Sequence, residues 1–156
     1  MAEYIKRKAG SILRELTKLH PKAKIALKFS SNWELLVAVI LSAQCTDKKV
    51  NEVTAGLFKK YETLEDYATA DSREFEKDIY QTGFYRAKTK NILAAAKIVK
   101  EKLGGRIPNT MEKILTIPGV ARKTANVVLG NAYGVVEGIA GDTHVRRLAR
   151  LFGLSK

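Results

Sequence analysis

Two basic residues stand where a tight turn should lead into an apolar helix. They are Arg122 and Lys123, in the segment LTIPGVARKTANVVLG that covers residues 115–130. A cation in the first turn of a helix lies at the positive end of the helix dipole. Such a position favours the neutral amine, which is the nucleophilic form of lysine. From spacing alone, Lys123 is a nucleophile, a phosphate ligand or a solvated surface charge.

The turn ahead of these two residues has the composition of a helix–hairpin–helix motif. The segment IPGVA, residues 117–121, joins a short helix to a longer one, and Gly119 can adopt the positive φ that a tight hairpin requires. The amides that open the second helix lack intrahelical partners, so they can bind a phosphate. A plain helical turn of the same composition is equally compatible with this segment taken alone.

Helical spacing runs through nearly the whole chain, and we find no convincing strand alternation. Residues 33–41, WELLVAVIL, are apolar on all sides and should form a central buried helix. Cap residues and stop signals set the other bounds. Helices are predicted to begin after Ser31, Thr46 or Asp47, Asp71, Thr110, and Asp142 or Thr143, and to end at His20-Pro21, Gly104-Gly105, Gly130 and Gly153. The prediction is an all-α fold.

The chain is strongly basic, with a formal net charge of +12 and a pI of about 9.8. Two basic stretches flank a nearly neutral middle, which favours a polyanionic partner such as nucleic acid over an anionic membrane surface. A solvated exterior with surplus lysine is the alternative. We see no secretory signal and no apolar run near the roughly 20 residues of a membrane span. The expected location is the cytoplasm, at the nucleoid if the source is prokaryotic.

Four segments, in order, resemble the endonuclease III family of DNA glycosylases within the helix–hairpin–helix glycosylase superfamily. They are WELLVAVILSAQCTDKKVN from residue 33, TGFYRAKTKNI from residue 82, LTIPGVARKTANVVL from residue 115 and GDTHVRRLARLFGL from residue 141. Ordered blocks of this kind are much more specific than one motif. The resemblance implies a helical barrel over residues 22–135, with the hairpin motif at about 111–130, and a partial second lobe from residues 1–21 and 136–156.

The resemblance also assigns the catalytic groups. Lys123 matches the family's catalytic lysine, which attacks C1′ of a flipped nucleotide, expels the base and forms a Schiff base that permits strand cleavage by β-elimination. Asp142 matches the catalytic aspartate, which assists deprotonation of the lysine and stabilises positive charge on the sugar. A carboxylate suits that electrostatic task. Asp142 is also a candidate helix N-cap, and the same carboxylate can both cap the helix and take part in catalysis.

Further matching positions imply contacts with DNA. Gln44 matches the glutamine that fills the gap left by the flipped base. Phe84 takes the position of an apolar wedge, with a role as core anchor for the following helix as the alternative. Arg122 and Lys88 are interpreted as phosphate contacts or solvated charges. The full predicted set of DNA-binding residues is Gln44, Phe84, Lys88, Gly119, Val120, Ala121, Arg122 and Thr124.

The sequence departs from the family at its end. Family members typically continue for several tens of residues, with four cysteines that bind a [4Fe-4S] cluster. This sequence ends at Lys156, and Cys45 is its one cysteine. We therefore expect no cofactor or metal in this chain, since the cluster would require the further C-terminal segment. A fragment or reduced form is favoured over a chain completed by a partner or by self-association.

The predicted function is a bifunctional DNA glycosylase and AP lyase that excises damaged, oxidised pyrimidines from double-stranded DNA. Two alternatives stay open at this point. One is a related glycosylase for mismatched or other damaged bases. The other is a non-catalytic DNA-binding fragment. No membrane partner is expected.

Overall fold

The computed structural model describes residues 2–155, and its regular elements are helices. A 3₁₀ turn, Tyr80–Thr82, connects the fifth and sixth of them. The α-helices are α1 Ala2–Leu19, α2 Asn32–Leu41, α3 Asp47–Lys60, α4 Leu64–Thr69, α5 Ser72–Ile79, α6 Tyr85–Lys102, α7 Met111–Ile114, α8 Arg122–Tyr133 and α9 Thr143–Leu151. The predicted all-α fold is confirmed.

The described chain forms two compact units. The larger unit spans residues 26–140, and the smaller one combines residues up to 25 with those from 141 onwards. The sequence-based division into 22–135 and a lobe of 1–21 with 136–156 stays a prediction.

Helix α2 is the centre of the larger unit, as its composition predicts. All residues from Leu35 to Leu41 are buried, and the helix packs against α3, α6 and α8. Burying each large aliphatic side chain contributes about 1.5–3 kcal/mol. The Ser31 hydroxyl accepts a hydrogen bond from the amide of Glu34 at 3.1 Å. The Glu34 carboxylate accepts from the amide of Ser30 at 2.5 Å, one residue before the N-cap. A complete capping box would have this second bond at the amide of Ser31 itself.

An aromatic cluster fixes α3, α4 and α5 beside α2. Tyr67 packs on Trp33, Tyr61 and Phe75 with ring centroids 5.2–5.9 Å apart. The Tyr61 hydroxyl donates to Asp78 at 2.9 Å. Burial, followed by this hydrogen bond, raises the pKa of Tyr61 to about 12. The cluster holds α5 in place, and α5 leads directly into the 3₁₀ turn ahead of α6.

Helix α8 is longer than predicted, because it continues through Gly130 to Tyr133. It ends at Gly134, which has φ +67° and donates to the carbonyl of Gly130 at 3.2 Å. The amide of Val135 donates to the carbonyl of Leu129 at 3.2 Å. These are the bonds of a helix that ends on a left-handed residue. The predicted end at Gly130 was therefore wrong, although the type of ending was right.

The smaller unit contains α1 and α9, and both helices expose apolar side chains. Leu13, Leu16 and Leu19 are exposed on α1, as are Leu148 and Leu151 on α9. The spacing of Ile5, Ala9, Ile12, Leu16 and Leu19 predicts one apolar stripe along α1. Only its first three members are half-buried, whereas Leu16 and Leu19 are exposed. Self-association through such a face stays a prediction. Within residues 2–155, no helix is long and apolar enough to cross a membrane.

Candidate active site

The hairpin between α7 and α8 closes on its own backbone. The amide of Ile117 donates to the carbonyl of Ile114 at 3.2 Å, and that of Val120 donates to Ile117 at 3.1 Å. Both Ile117 and Val120 bury their side chains. Gly119, between them, has φ +78°. A Cβ built on Gly119 would lie 2.8 Å from Cβ of Asn91 on α6. The turn therefore requires glycine for its conformation and for its contact with α6.

Substituting Gly119 by alanine should destabilise the larger unit. We expect a loss of about 2–4 kcal/mol in the free energy of unfolding, from the left-handed backbone and the clash with Asn91. Gly56 in the interior of α3 is the matched control, because it has ordinary backbone angles and no atom within 4 Å of a built Cβ. Gly56→Ala should instead stabilise by roughly 0.5–1 kcal/mol. Chemical denaturation of both variants measures the difference, and equal effects would contradict this account.

The first turn of α8 presents amides that no side chain caps. Its N-cap residue is Ala121, in extended conformation, which cannot accept a hydrogen bond through its side chain. Arg122 follows and is exposed, while Thr124 is half-buried. Val120 differs from these neighbours, because its side chain is buried and its amide already donates to Ile117. Val120 thus supports the turn, and the uncapped amides begin after it.

Lys123 is exposed in this first turn. The opposite face of α8 is anchored by buried Ala125, Val128 and Leu129, and the helix packs against α2. The lysine therefore extends from a helix held in the core, while its amine is accessible to a large substrate. Asn126, one turn further on, donates to the carbonyl of Ile139 at 3.5 Å, in the segment that follows α8.

Asp142 begins α9 in the smaller unit. Its Oδ1 accepts a hydrogen bond from the amide of Val145 at 2.8 Å, with the backbone of Asp142 extended. The predicted N-cap is therefore confirmed. The bond holds the carboxylate at the positive end of the helix, where a negative charge is stabilised.

Gln44 and Phe84 share an uncommon backbone conformation. Among the residues that the structure describes, they are the two non-glycine residues with positive φ, at +53° and +48°. Both are exposed, and Phe84 has an exposed fraction of 65%. The alternative that Phe84 anchors α6 in the core was therefore wrong. A bulky side chain with a left-handed backbone is strained by about 1–3 kcal/mol, and strain of this kind is found at functional sites.

Lys88 does not lie where the sequence placed it. It was expected as a phosphate contact or a solvated charge, yet it is buried, with 5% of its surface exposed. Its Nζ donates to the backbone carbonyls of Leu41 and Thr82, both at 2.8 Å. Burial lowers the pKa of Lys88, because a charged amine is poorly solvated there. The amine therefore makes its hydrogen bonds inside the protein and is not accessible to DNA.

The residues of this chain do not fit an iron–sulfur cluster. A [4Fe-4S] cluster takes four cysteine thiolates, whereas the sequence contains Cys45 alone, a half-buried free thiol. Over residues 2–155 no group of three or more histidine, cysteine, aspartate or glutamate side chains could hold a metal ion.

Sequence reasoning missed the residues that support these loops. Asn91 receives the hairpin at Gly119, and Lys49 donates from the first turn of α3 to the side chain of Gln81 at 3.2 Å. A polar residue such as Asn91 on α6 does not by itself indicate a contact with the hairpin. Gln81 lies 32 residues from Lys49, and Leu41 lies 47 residues from Lys88, so no local pattern marks these two contacts.

Comparisons with known proteins match the sequence of this chain to one family. The family described as "HhH-GPD superfamily base excision DNA repair protein" matches residues 37–156. An endonuclease III from Synechocystis is 49% identical over 151 residues, which are 97% of this chain and 69% of that protein. An endonuclease III from Bacillus subtilis is 44% identical over 92% of this chain and 65% of its own length.

The chain belongs to the endonuclease III family. The resemblance drawn from the four sequence segments is thereby confirmed. The chain spans about two thirds of the length of these curated relatives, at 69% and 65%.

Solved structures of endonuclease III have the same fold as this chain. A non-covalent endonuclease III–DNA complex superposes with a TM-score of 0.91 at 42% identity, covering 97% of this chain and 70% of that one. A trapped endonuclease III–DNA covalent intermediate gives the same values of 0.91 and 42%. A thermostable thymine-DNA glycosylase, at 22% identity and a TM-score of 0.83, has the same fold.

Proposed function

We propose that this chain is the catalytic core of a base-excision DNA glycosylase with AP lyase activity, acting on oxidised pyrimidines in double-stranded DNA. The observation that carries the proposal is the exposed Lys123 in the uncapped first turn of α8, directly behind the Gly119 hairpin. Relatives of the same family have been solved on DNA, including a trapped covalent intermediate. Such an intermediate requires a nucleophile on the protein.

Lys123 is the proposed nucleophile. Its neutral amine forms a bond to C1′ of the damaged nucleotide while the bond from C1′ to the base breaks, and the electron pair leaves with the base. Opening of the sugar ring then gives a Schiff base between Lys123 and C1′. Loss of a proton from C2′ breaks the bond from C3′ to its phosphate oxygen, which cleaves the strand.

Asp142 is the proposed electrostatic partner in this reaction. Its carboxylate assists deprotonation of Lys123 and stabilises the positive charge that develops on the sugar as the base departs. The hydrogen bond from the Val145 amide fixes the orientation of the carboxylate. One residue would thus cap α9 and serve the chemistry.

The hairpin is proposed to hold the DNA backbone without reading its sequence. The amides at the start of α8 bind a phosphate, with Ala121 adding no competing acceptor. Gly119, Arg122 and Thr124 complete this contact. The basic charge of the chain, +12, favours association with DNA of any sequence.

Gln44 and Phe84 are proposed to act on the duplex itself. Attack at C1′ requires the damaged nucleotide to leave the base stack. Gln44 would fill the gap that the nucleotide leaves, and the exposed ring of Phe84 would wedge between bases. The left-handed backbone of both residues supports this assignment, because such strain persists where a function requires it.

Each of these steps is assigned to side chains and backbone amides of this chain, and its one cysteine cannot ligate the family's cluster. We therefore propose no cofactor in this chain. The proposed substrate places the protein with the genome, in the cytoplasm at the nucleoid if its source is prokaryotic.

Borohydride trapping tests the proposal. The chain is incubated with a duplex that carries an abasic site or thymine glycol, and borohydride is added to reduce any Schiff base. We expect a covalent adduct on both duplexes and strand cleavage without borohydride. Binding of duplex DNA with no adduct would instead indicate a DNA-binding module without catalysis. An adduct on the abasic duplex, together with release of a mismatched base but not of thymine glycol, would indicate the related glycosylase.

A further inference from the structure

Two loops of the larger unit carry Gln44 and Phe84, and one buried side chain joins them. The first loop follows α2, whose last residue is Leu41. The second follows the 3₁₀ turn, whose last residue is Thr82. Lys88 donates from a single nitrogen to the carbonyls of Leu41 and Thr82, each at 2.8 Å.

The position of Lys88 on α6 is closely coupled to Phe84. Lys88 lies one turn into the helix, and its amide donates to the carbonyl of Phe84 at 3.1 Å. The same residue therefore contacts the backbone of the second loop on either side of Gly83. Its third contact, at Leu41, lies three residues before Gln44.

The hydrogen bond at Leu41 also satisfies a carbonyl at the C-terminal end of α2. The last carbonyls of a helix have no intrahelical partner and carry its negative end. A lysine amine is a suitable partner for them, even though burying it is costly. A second hydrogen bond joins the elements next to the two loops, because Lys49 in the first turn of α3 donates to Gln81 in the 3₁₀ turn at 3.2 Å.

We propose that Lys88 is a positioning residue, which fixes the loops of Gln44 and Phe84 relative to each other so that both residues engage the DNA duplex together. This inference rests on the proposed function, because it assigns a use to the strained conformations of these two residues. Lys88 itself does not touch DNA. It acts by holding the two backbone segments at one distance, since both carbonyls accept from the same nitrogen.

A mutant cycle tests the proposal through the rate at which the borohydride-trapped adduct forms on duplex DNA that carries thymine glycol, at saturating protein. Lys88→Met removes both side-chain hydrogen bonds and keeps an unbranched side chain one atom shorter. We expect a rate about tenfold lower from the loss of two such bonds. In a Gln44→Ala, Phe84→Ala background the same change should lower the rate by less than about twofold, because residues that act together are not additive. Lys97→Met, at an exposed position of the same helix, is the matched control and should leave the rate unchanged.

Hydrogen exchange provides a readout that does not depend on activity. Lys88→Met should increase amide exchange in residues 42–46 and 83–87, while Lys97→Met should not. If Lys88→Met does not fold, Lys88→Arg replaces it in both experiments, since it keeps the charge and changes the geometry of the donors.

The outcomes separate this inference from the proposed function. An adduct with the unaltered chain and an equal rate with Lys88→Met would overturn the inference alone. So would a full tenfold loss in the double-alanine background, or unchanged exchange in both loops. Failure of the unaltered chain to form any adduct would overturn the proposed function, while the exchange experiment would still decide whether Lys88 orders the loops.

Discussion

Lys123→Ala should form no borohydride-trapped adduct with abasic DNA, and its rate of base excision should fall by roughly 10³-fold or more. The amine is the atom proposed to bond to C1′, and alanine offers nothing in its place. The fold should be retained, because Lys123 is exposed and its change leaves the buried face of α8 intact. Gel electrophoresis of the reduced reaction measures the adduct, and release of thymine glycol measures excision.

The neighbouring residue supplies the control for this experiment. Arg122→Ala removes one positive charge from the same helical turn, so it should weaken DNA binding and reduce the slope of log K against log salt by about 1. At saturating protein it should still form the adduct. An adduct that persists in Lys123→Ala would show that another amine is the nucleophile.

Asp142→Asn should lower the rate of base excision by roughly 10²–10³-fold and leave the stability of the protein nearly unchanged. Asparagine caps a helix about as well as aspartate, so the hydrogen bond from Val145 can be kept while the negative charge is lost. Single-turnover excision of thymine glycol and thermal denaturation measure the two effects. Asp142→Ala should lose the same activity and, in addition, about 1 kcal/mol of stability.

A second N-cap aspartate provides a control that distinguishes the loss of a catalytic charge from the loss of a charged helix cap. Asp71 caps α5 by accepting from the amide of Glu74 at 2.9 Å, and it has no proposed role in the reaction. Asp71→Asn should leave excision at the rate of the unaltered chain. If Asp142→Asn also kept full activity, Asp142 would be a cap and nothing more.

Most of the fold could be predicted because its signals are local. Ser31, Thr46 and Asp71 each accept a hydrogen bond from the amide three residues on, as their types and spacing predict. The apolar composition of α2 alone indicates burial on every side. Gly130 was misleading because glycine also occurs inside helices, and only the bonds at Gly134 distinguish the true end.

The site was less predictable because its supports are distant or belong to the backbone. Lys88 is charged and lies among other bases on α6, which favours an exposed position. Its acceptors are two carbonyls, 47 and 6 residues away, and a carbonyl is the same for every residue type. Nor does any residue type mark the left-handed backbone of Gln44 and Phe84, since neither is glycine or asparagine.

The alanine that begins α8 has a consequence for the energetics of DNA binding. A serine or aspartate at position 121 would contribute about 1 kcal/mol to the free protein by capping the helix, and Ala121 forgoes that gain. At the proposed phosphate site no internal hydrogen bond would then have to break on binding, so these amides are preorganised in the unbound protein. A capping side chain at position 121 would stabilise the free protein and would add that same free energy to the cost of binding a phosphate there.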